Sequence, residues 1–186
     1  QRQMCIRDRD YMIKSGNPTQ WGHFYPDADL IKSDIDKNAC KVIYDKDGIH
    51  GVFSVFDGTE PTYKHIEGGN WLNEEPYLTI HRLAGDGQVH GLFPCALNYC
   101  KKISLNIRVD THADNKTMQR LIEKNGFIKC GTIYVKNGTA RIAYQRADFR
   151  AARFASISLN TTRSAARSVS SSVDRHSDNW QEIVER

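Results

Sequence analysis

The sequence predicts a mixed α/β domain built around one sheet. Three observations carry that prediction. Apolar spacing switches between helical and strand periods along residues 10–146, and turn-forming clusters separate those segments. The composition, 39% hydrophobic and 26% charged in 186 residues, supports one core of ordinary size.

Asp10–Ser15 reads as the end of a helix, stopped by Gly16 and the Asn17-Pro18 turn. Asp27–Asp36 is a short helix with Leu30, Ile31 and Ile35 expected on one apolar face. Lys41–Tyr44 and Ile49–Phe56 are strands joined by Asp45-Lys46-Asp47-Gly48, a strong hairpin signal. Asp57–Glu75, with Gly58, Pro61, Gly68 and Gly69, reads as a loop. Tyr77–Ala84 is the next strand, followed by a glycine-rich turn and a helix over Leu92–Lys101. Pro94 suits the first turn of that helix, and Phe93, Ala96, Leu97 and Cys100 form its apolar face. Leu105–Val109 is a strand, and Lys116–Asn125 is a helix bearing Met118, Leu121 and Ile122 and closed by Gly126. Cys130–Val135 and Ala140–Gln145 flank Lys136-Asn137-Gly138-Thr139, a second hairpin. The order is therefore α, α, β, β, β, α, β, α, β, β.

No apolar run approaches the roughly 20 residues of a membrane span, and no signal peptide is recognisable. Of the five cysteines, Cys95 and Cys100 fall in a helix and Cys40 and Cys130 in or beside strands, without zinc spacing. Buried reduced thiols and a cytoplasmic location are the expectation. The formal charge is +4, of which +2 lies in residues 1–9 and +1 in residues 147–186, leaving +1 for residues 10–146. That core charge argues against a nucleic-acid surface, and no metal site is expected.

Both ends are set apart from the fold. Gln1–Arg9, QRQMCIRDR, resembles the translation of a common sequencing-library adapter, weighed against a genuine polar N-terminus; on the adapter reading Asp10 is expected to lie inside a truncated gene, with the first strand and the start of the first helix lost. The sheet edge left by that loss is expected to be bare. From Ala147 the chain becomes rich in Arg, Ser and Ala, and reads as a disordered or artefactual tail, with Phe149, Phe154, Ile157 and Leu159 as a short docking segment at most.

The unit that carries chemistry is a strand, then Gly85-Asp86-Gly87-Gln88-Val89-His90-Gly91, then a helix. A helix N-terminus offers unpaired N–H groups and a partial positive charge, and glycines before it allow close approach of a pyrophosphate. Glycine also serves merely to turn the chain at many such junctions. Gln88-Val89-His90-Gly91-Leu92-Phe93 resembles the acyl-CoA loop, Q/R-x-x-G-x-G/A, of the GNAT superfamily of N-acetyltransferases. The preceding Tyr77–Ala84 resembles that family's fourth strand, and Asn115–Phe127 its N-x-x-A-x-x-L-Y-E-K-x-G-F helix. The resemblance is strong over residues 76–146 and holds in outline over 10–75.

It implies a mostly antiparallel sheet with a splayed central strand pair, flanked by helices, and acetyl-CoA as co-substrate. Backbone groups of Leu83 and Ala84 would pair with the pantetheine arm, the amides from Gln88 through Val89, His90, Gly91 and Leu92 to Phe93 would cradle the pyrophosphate, and Asn115 would stand beside the arm or act simply as a helix N-cap. Two positions depart from the pattern. Phe93 replaces a small residue, with bulk that bears on how closely the loop wraps a phosphate, and Ile122 replaces the tyrosine that often protonates the departing thiolate.

The implied reaction is acetyl transfer to a primary amine, of a small molecule or a peptide, by direct attack in a ternary complex. His81 is the first candidate base, weighed against a buried histidine bonded to backbone. Asp110 and His112 are candidates for base or substrate contact, weighed against a polar turn; Tyr134 is a candidate proton donor or a plain strand aromatic. Trp21 and Tyr25 line the amine pocket or pack in the core. A CoA-binding protein without catalysis is the alternative within the family, and a nucleic-acid module using the Arg/Ser tail is a third reading that the core charge opposes. A homodimer is left open.

Overall fold

A computed structural model describes residues 2–22, 24–58, 60–148 and the backbone of 183–185. Phe149, Phe154, Ile157 and Leu159 lie outside the described residues. Helix α1 spans Arg2–Lys14 and α2 spans Ala28–Asp36; the hairpin strands are β1, Cys40–Asp45, and β2, Gly48–Asp57. A 3-10 turn, Pro61–Tyr63, follows, then β3, Leu78–Gly85, α3, Leu92–Lys101, β4, Asn106–Thr111, α4, Lys116–Lys124, and the hairpin of β5, Ile128–Tyr134, and β6, Ala140–Ala147. This is the order the periodicities predict, with the 3-10 turn and a short β7, Ile183–Glu185, added.

Local chemistry sets most boundaries. Asp27 caps α2 through its Oδ1, which accepts from the Leu30 amide at 2.8 Å, and Asn115 caps α4 through its Oδ1, which accepts from the Met118 amide at 3.0 Å. Helix α1 closes with the amides of Ser15, Gly16 and Asn17 bonded back to Tyr11, Ile13 and Met12. Arg2–Arg9, set aside above, form the first turns of this helix.

The sheet runs β5-β6-β4-β3-β2-β1-β7 and is antiparallel except between β3 and β4. A parallel pair needs a crossover, and α3 supplies it. The outer edge of β1, expected to be bare, pairs with β7 at Lys41, Val42 and Ile43.

Alternation along β2 divides two cores. Phe53 joins Leu78, Phe93, Leu97, Ile107, Ile122 and Tyr144 in the main core, while Val52 packs with Ala84 and Cys5 of α1. Phe93, Ala96, Leu97 and Cys100 are all buried, as the spacing of α3 predicts. The α2 face differs from expectation: Ile31 is buried but Ile35 is 47% exposed, because the inward position is taken by Asp34. Cys5, Cys40, Cys100 and Cys130 are buried and Cys95 is half-buried.

The segment before β3 is fastened rather than loose. The Arg108 guanidinium lies 4.0 Å from the Trp71 ring centre and 3.9 Å from that of Tyr77, and donates to the Asn73 carbonyl at 2.7 Å. Gln145, fully buried in β6, accepts from the Leu72 amide and donates to the side chains of Asn73 and Asn106. These bonds satisfy both ends of a buried amide and hold Trp71–Asn73 against the sheet.

Candidate active site

Strands β3 and β4 begin as neighbours and then part. Only Leu78↔Ile107 and Thr79↔Arg108 are in register; beyond them β3 follows β2 as far as Gly85, while β4 follows β6 as far as Thr111. The cause lies in β3. Between Ser54↔His81 and Val52↔Ala84, β2 has one residue, Phe53, where β3 has two, Arg82 and Leu83. Such a bulge bends its strand, deepens the twist and releases backbone groups from the ladder. A cavity of about 1390 Å³ opens along the split, from the β3–α3 loop past Leu83, Ala84, Val109 and Asn115 to Glu60, His81 and Asp110.

One end of this cavity is the N-terminus of α3. Gly91 stands at the N-cap with φ +89, a conformation that favours glycine, and no side chain caps the helix. The first-turn amides of Leu92 and Phe93 are left without a capping group, and Pro94 has none to offer. Leu92 turns its side chain onto Gly51 and Gly85, where an added Cβ on either glycine would overlap it. Two glycines thus let α3 sit directly on the strands. Val89, His90, Gly91, Leu92 and Phe93 line the cavity, as do Leu83, Ala84 and Asn115. Gln88 does not; its amide donates to Asp86 Oδ1 at 2.9 Å. Asp86 in turn accepts from His50 Nδ1 at 2.8 Å, while His50 Nε2 lies 2.9 Å from Asp45. Those two carboxylates raise the His50 pKa, and the Gln88 amide and His50 outweigh burial to hold the Asp86 carboxyl below its ordinary range. Asn115 Nδ2 donates to Gln20 Oε1 at 3.0 Å, so the residue is both an N-cap and a wall of the cavity.

At the other end, half-buried His81 stands between two carboxylates: Nε2 is 3.6 Å from Glu60 Oε2 and Nδ1 is 3.9 Å from Asp110 Oδ2. Its ring lies 5.9 Å from that of Phe56 and 6.1 Å from that of Tyr63. Tyr63, fully buried, donates its hydroxyl to Asp110 Oδ2 at 2.7 Å, and Arg141 Nε lies 3.8 Å from Asp110 Oδ1. Burial, with Asp110 beside it, holds the Tyr63 phenol well above its usual range, so it is a neutral donor. His81 and the hydroxyl and amide of Thr62 push the Glu60 carboxyl down to about 2. Two carboxylates flanking an imidazole are suited to stabilise it once it has taken a proton.

Trp21 and Tyr25 line the same cavity, their rings 6.1 Å apart. Tyr25 Oη accepts from Arg82 Nη1 at 3.1 Å, and Arg82 Nε and Nη2 reach Asp34 Oδ2 at 2.7 and 2.6 Å. The structure does not bring His112 or Tyr134 to this cavity. His112 Nδ1 accepts from the Asp114 amide at 3.2 Å in the turn before α4, and burial with Arg141 nearby lowers its pKa. Tyr134 is exposed at the end of β5 and donates to Glu67 at 2.9 Å.

No family model and no curated protein sequence matches the chain. Solved structures do. A GNAT-family acetyltransferase from Streptococcus agalactiae 2603 is 30% identical, with a TM-score of 0.72 over 79% of this chain and 87% of that one. The chain belongs to the GNAT acetyltransferase family. A candidate acetyltransferase from Staphylococcus aureus Mu50 is 27% identical, with a TM-score of 0.54 over 77% of this chain and 88% of that one. A GNAT-family acetyltransferase from Listeria monocytogenes 4b F2365, 19% identical, shares the fold at a TM-score of 0.57 over 78% and 86%.

Within this GNAT fold, the two departures from the family pattern prove to be core positions. Phe93 is 2% exposed and packs its ring 5.9 Å from that of Phe127, in the main core. Ile122 is fully buried in the same core. The residues that sequence reasoning missed are Glu60, Tyr63, Arg141 and Asp34. Glu60-Pro61-Thr62 carried a local signal, an acidic cap ahead of proline, whereas Asp34 read as an ordinary polar helix position.

Proposed function

We propose that this GNAT protein is an acetyl-CoA-dependent N-acetyltransferase that acetylates a primary amine by direct attack, with His81 as general base. The observation that carries the reading is the placement of His81, between Glu60 and Asp110, in the same cavity that the uncapped α3 N-terminus closes. The amides of Leu92 and Phe93 would hold the pyrophosphate, and Gly85 and Gly51 fix their position by seating Leu92. The split between β3 and β4 leaves strand edges for the pantetheine arm at Leu83 and Ala84, and backbone donors that the bulge releases from the ladder would serve the acyl carbonyl. The amine would enter against Trp21, Tyr25 and Phe56. His81 takes a proton from the acceptor nitrogen, Glu60 and Asp110 stabilise the imidazolium, and the new amide bond forms as the thioester C–S bond breaks, CoA leaving as its thiolate with the bonding pair and taking its proton from solvent.

Calorimetric titration of acetyl-CoA into the full chain, followed by thiol release across a panel of amines, tests this reading. Binding that Gly91→Trp abolishes, with amine-dependent release of CoA that His81→Gln removes, supports it. A folded protein that binds no acetyl-CoA, or binds it and acetylates no amine, refutes it.

A further inference from the structure

Among the described residues, Asn38 and Arg82 are the non-glycine positions with positive φ, +54 and +53. Asparagine tolerates that region through its short side chain; arginine has no such advantage. Arg82 is the first of the two bulge residues, where glycine is the residue the backbone itself favours. Its side chain therefore supplies what holds the conformation. The guanidinium reaches Asp34 Oδ2 with both Nε and Nη2, donates to Tyr25 Oη, and lies 5.2 Å from the Phe56 ring centre. Asp34, 2% exposed on α2, also accepts from Ser54 Oγ of β2 at 2.7 Å. One buried carboxylate oxygen thus joins α2, β2 and the bulge of β3 at the place where the sheet opens.

We infer that Asp34 is a positioning residue: by clamping Arg82 it fixes the β3 bulge, and with it the backbone donors that face the acyl group. The catalytic half of this inference rests on the acetyltransferase reading; the structural half does not. The clamp has the features such a role requires. It is buried, it is charge-assisted and directional, and it holds a backbone conformation that the local sequence does not favour. It also ties the bulge to Tyr25, in the wall proposed for the amine.

Two readouts test it. Arg82→Gly relieves the left-handed backbone while deleting the clamp, so a purely structural role predicts unchanged catalysis in a protein of equal or higher thermal stability. The inference predicts otherwise: without any substrate present, amide hydrogen exchange over residues 82–84 accelerates about tenfold or more while β4 and β6 are unchanged. In turnover, kcat falls about 10- to 100-fold with KM for acetyl-CoA within about threefold, as expected when reacting groups lose alignment rather than affinity. Arg82→Lys, keeping one charged contact, falls between. Asp34→Asn should reproduce the loss; should it fail to fold because Arg82 is left unpaired, Asp34→Asn combined with Arg82→Gly removes both charges together. Wild-type exchange rates over residues 82–84 in Arg82→Gly, or wild-type kcat, overturns the inference. A wild-type chain without acetyl transfer refutes the acetyltransferase reading instead, and the exchange experiment then still decides the clamp.

Discussion

Two carboxylates flank the His81 ring. Glu60 and Asp110 face its two nitrogens at 3.6 and 3.9 Å, and Tyr63 and Arg141 hold Asp110 in place. Replacing His81 by Gln should lower kcat by about 10²- to 10⁴-fold while acetyl-CoA affinity, measured by calorimetry, stays within about twofold. Glu60 makes a separate statement about stability. Its folded pKa of about 2 lies below the ordinary value, so its contribution is present above about pH 4.5 and is lost as pH falls toward 2. Denaturant midpoints of Glu60→Gln should therefore vary less than wild type between pH 5 and 2.5, on scales of about one to two pH units. His50 has the opposite sign. Its pKa is raised by Asp86 and Asp45, so its contribution is complete below about pH 6.5 and is lost as pH rises through the higher folded value. Wild type should lose more stability than His50→Gln as pH rises above about 6.5, and equal slopes would show that the two carboxylates do not hold an imidazolium.

Among the elements, α3 and the Trp71–Asn73 segment owe their placement to close contact. A Cβ on Gly85 would overlap Leu92 Cδ1, the end of a flexible side chain, so Gly85→Ala should fold but lift the α3 N-terminus from the strands. The expected result is acetyl-CoA binding weakened about tenfold with thermal stability nearly kept, since the phosphate site depends on where those amides point. The Trp71–Asn73 segment should respond differently. Gln145→Leu takes away the acceptor of the Leu72 amide, while Asn73 Oδ1 keeps its bond from Asn106 Nδ2, at a cost of about 1–3 kcal/mol in denaturant unfolding. At this scale the sequence is a good guide to existence and a poor one to attachment. The α3 boundaries follow from Pro94 and the apolar face, and the hairpins from Asp47-Gly48 and Asn137-Gly138. Asp57–Glu75 read as a plain loop because its anchors, Tyr63 to Asp110 and Leu72 to Gln145, lie 47 and 73 residues away. Ile35 read as buried because periodicity cannot see that Asp34 has Arg82 and Ser54 opposite it.

The molecule as a whole is a sheet whose halves share one short parallel contact, Leu78–Thr79 with Ile107–Arg108, and diverge from there. A ligand seated in the split touches both halves. Acetyl-CoA at 100 times its Kd should therefore stabilise the chain by about 2.7 kcal/mol. It should also raise exchange protection on β3 and β4 together, residues 80–84 and 109–111. Protection confined to the β3–α3 loop would place the ligand outside the split.

The sequence by itself determined the order of elements, the hairpin turns and the glycine-flanked α3 N-terminus, because periodicity and turn chemistry act over a few residues. Within the site it marked His81, Asp110 and the loop from Val89 to Phe93, which line the cavity, but also His112 and Tyr134, which do not. Only the tertiary structure decided the split, the bulge at Arg82–Leu83, the pairing of Glu60 with His81 and the burial of Asp34 against Arg82. Each of these joins groups 20 or more residues apart, as with Ser54 and Asp34, and their energies exist only once the strands have brought them together.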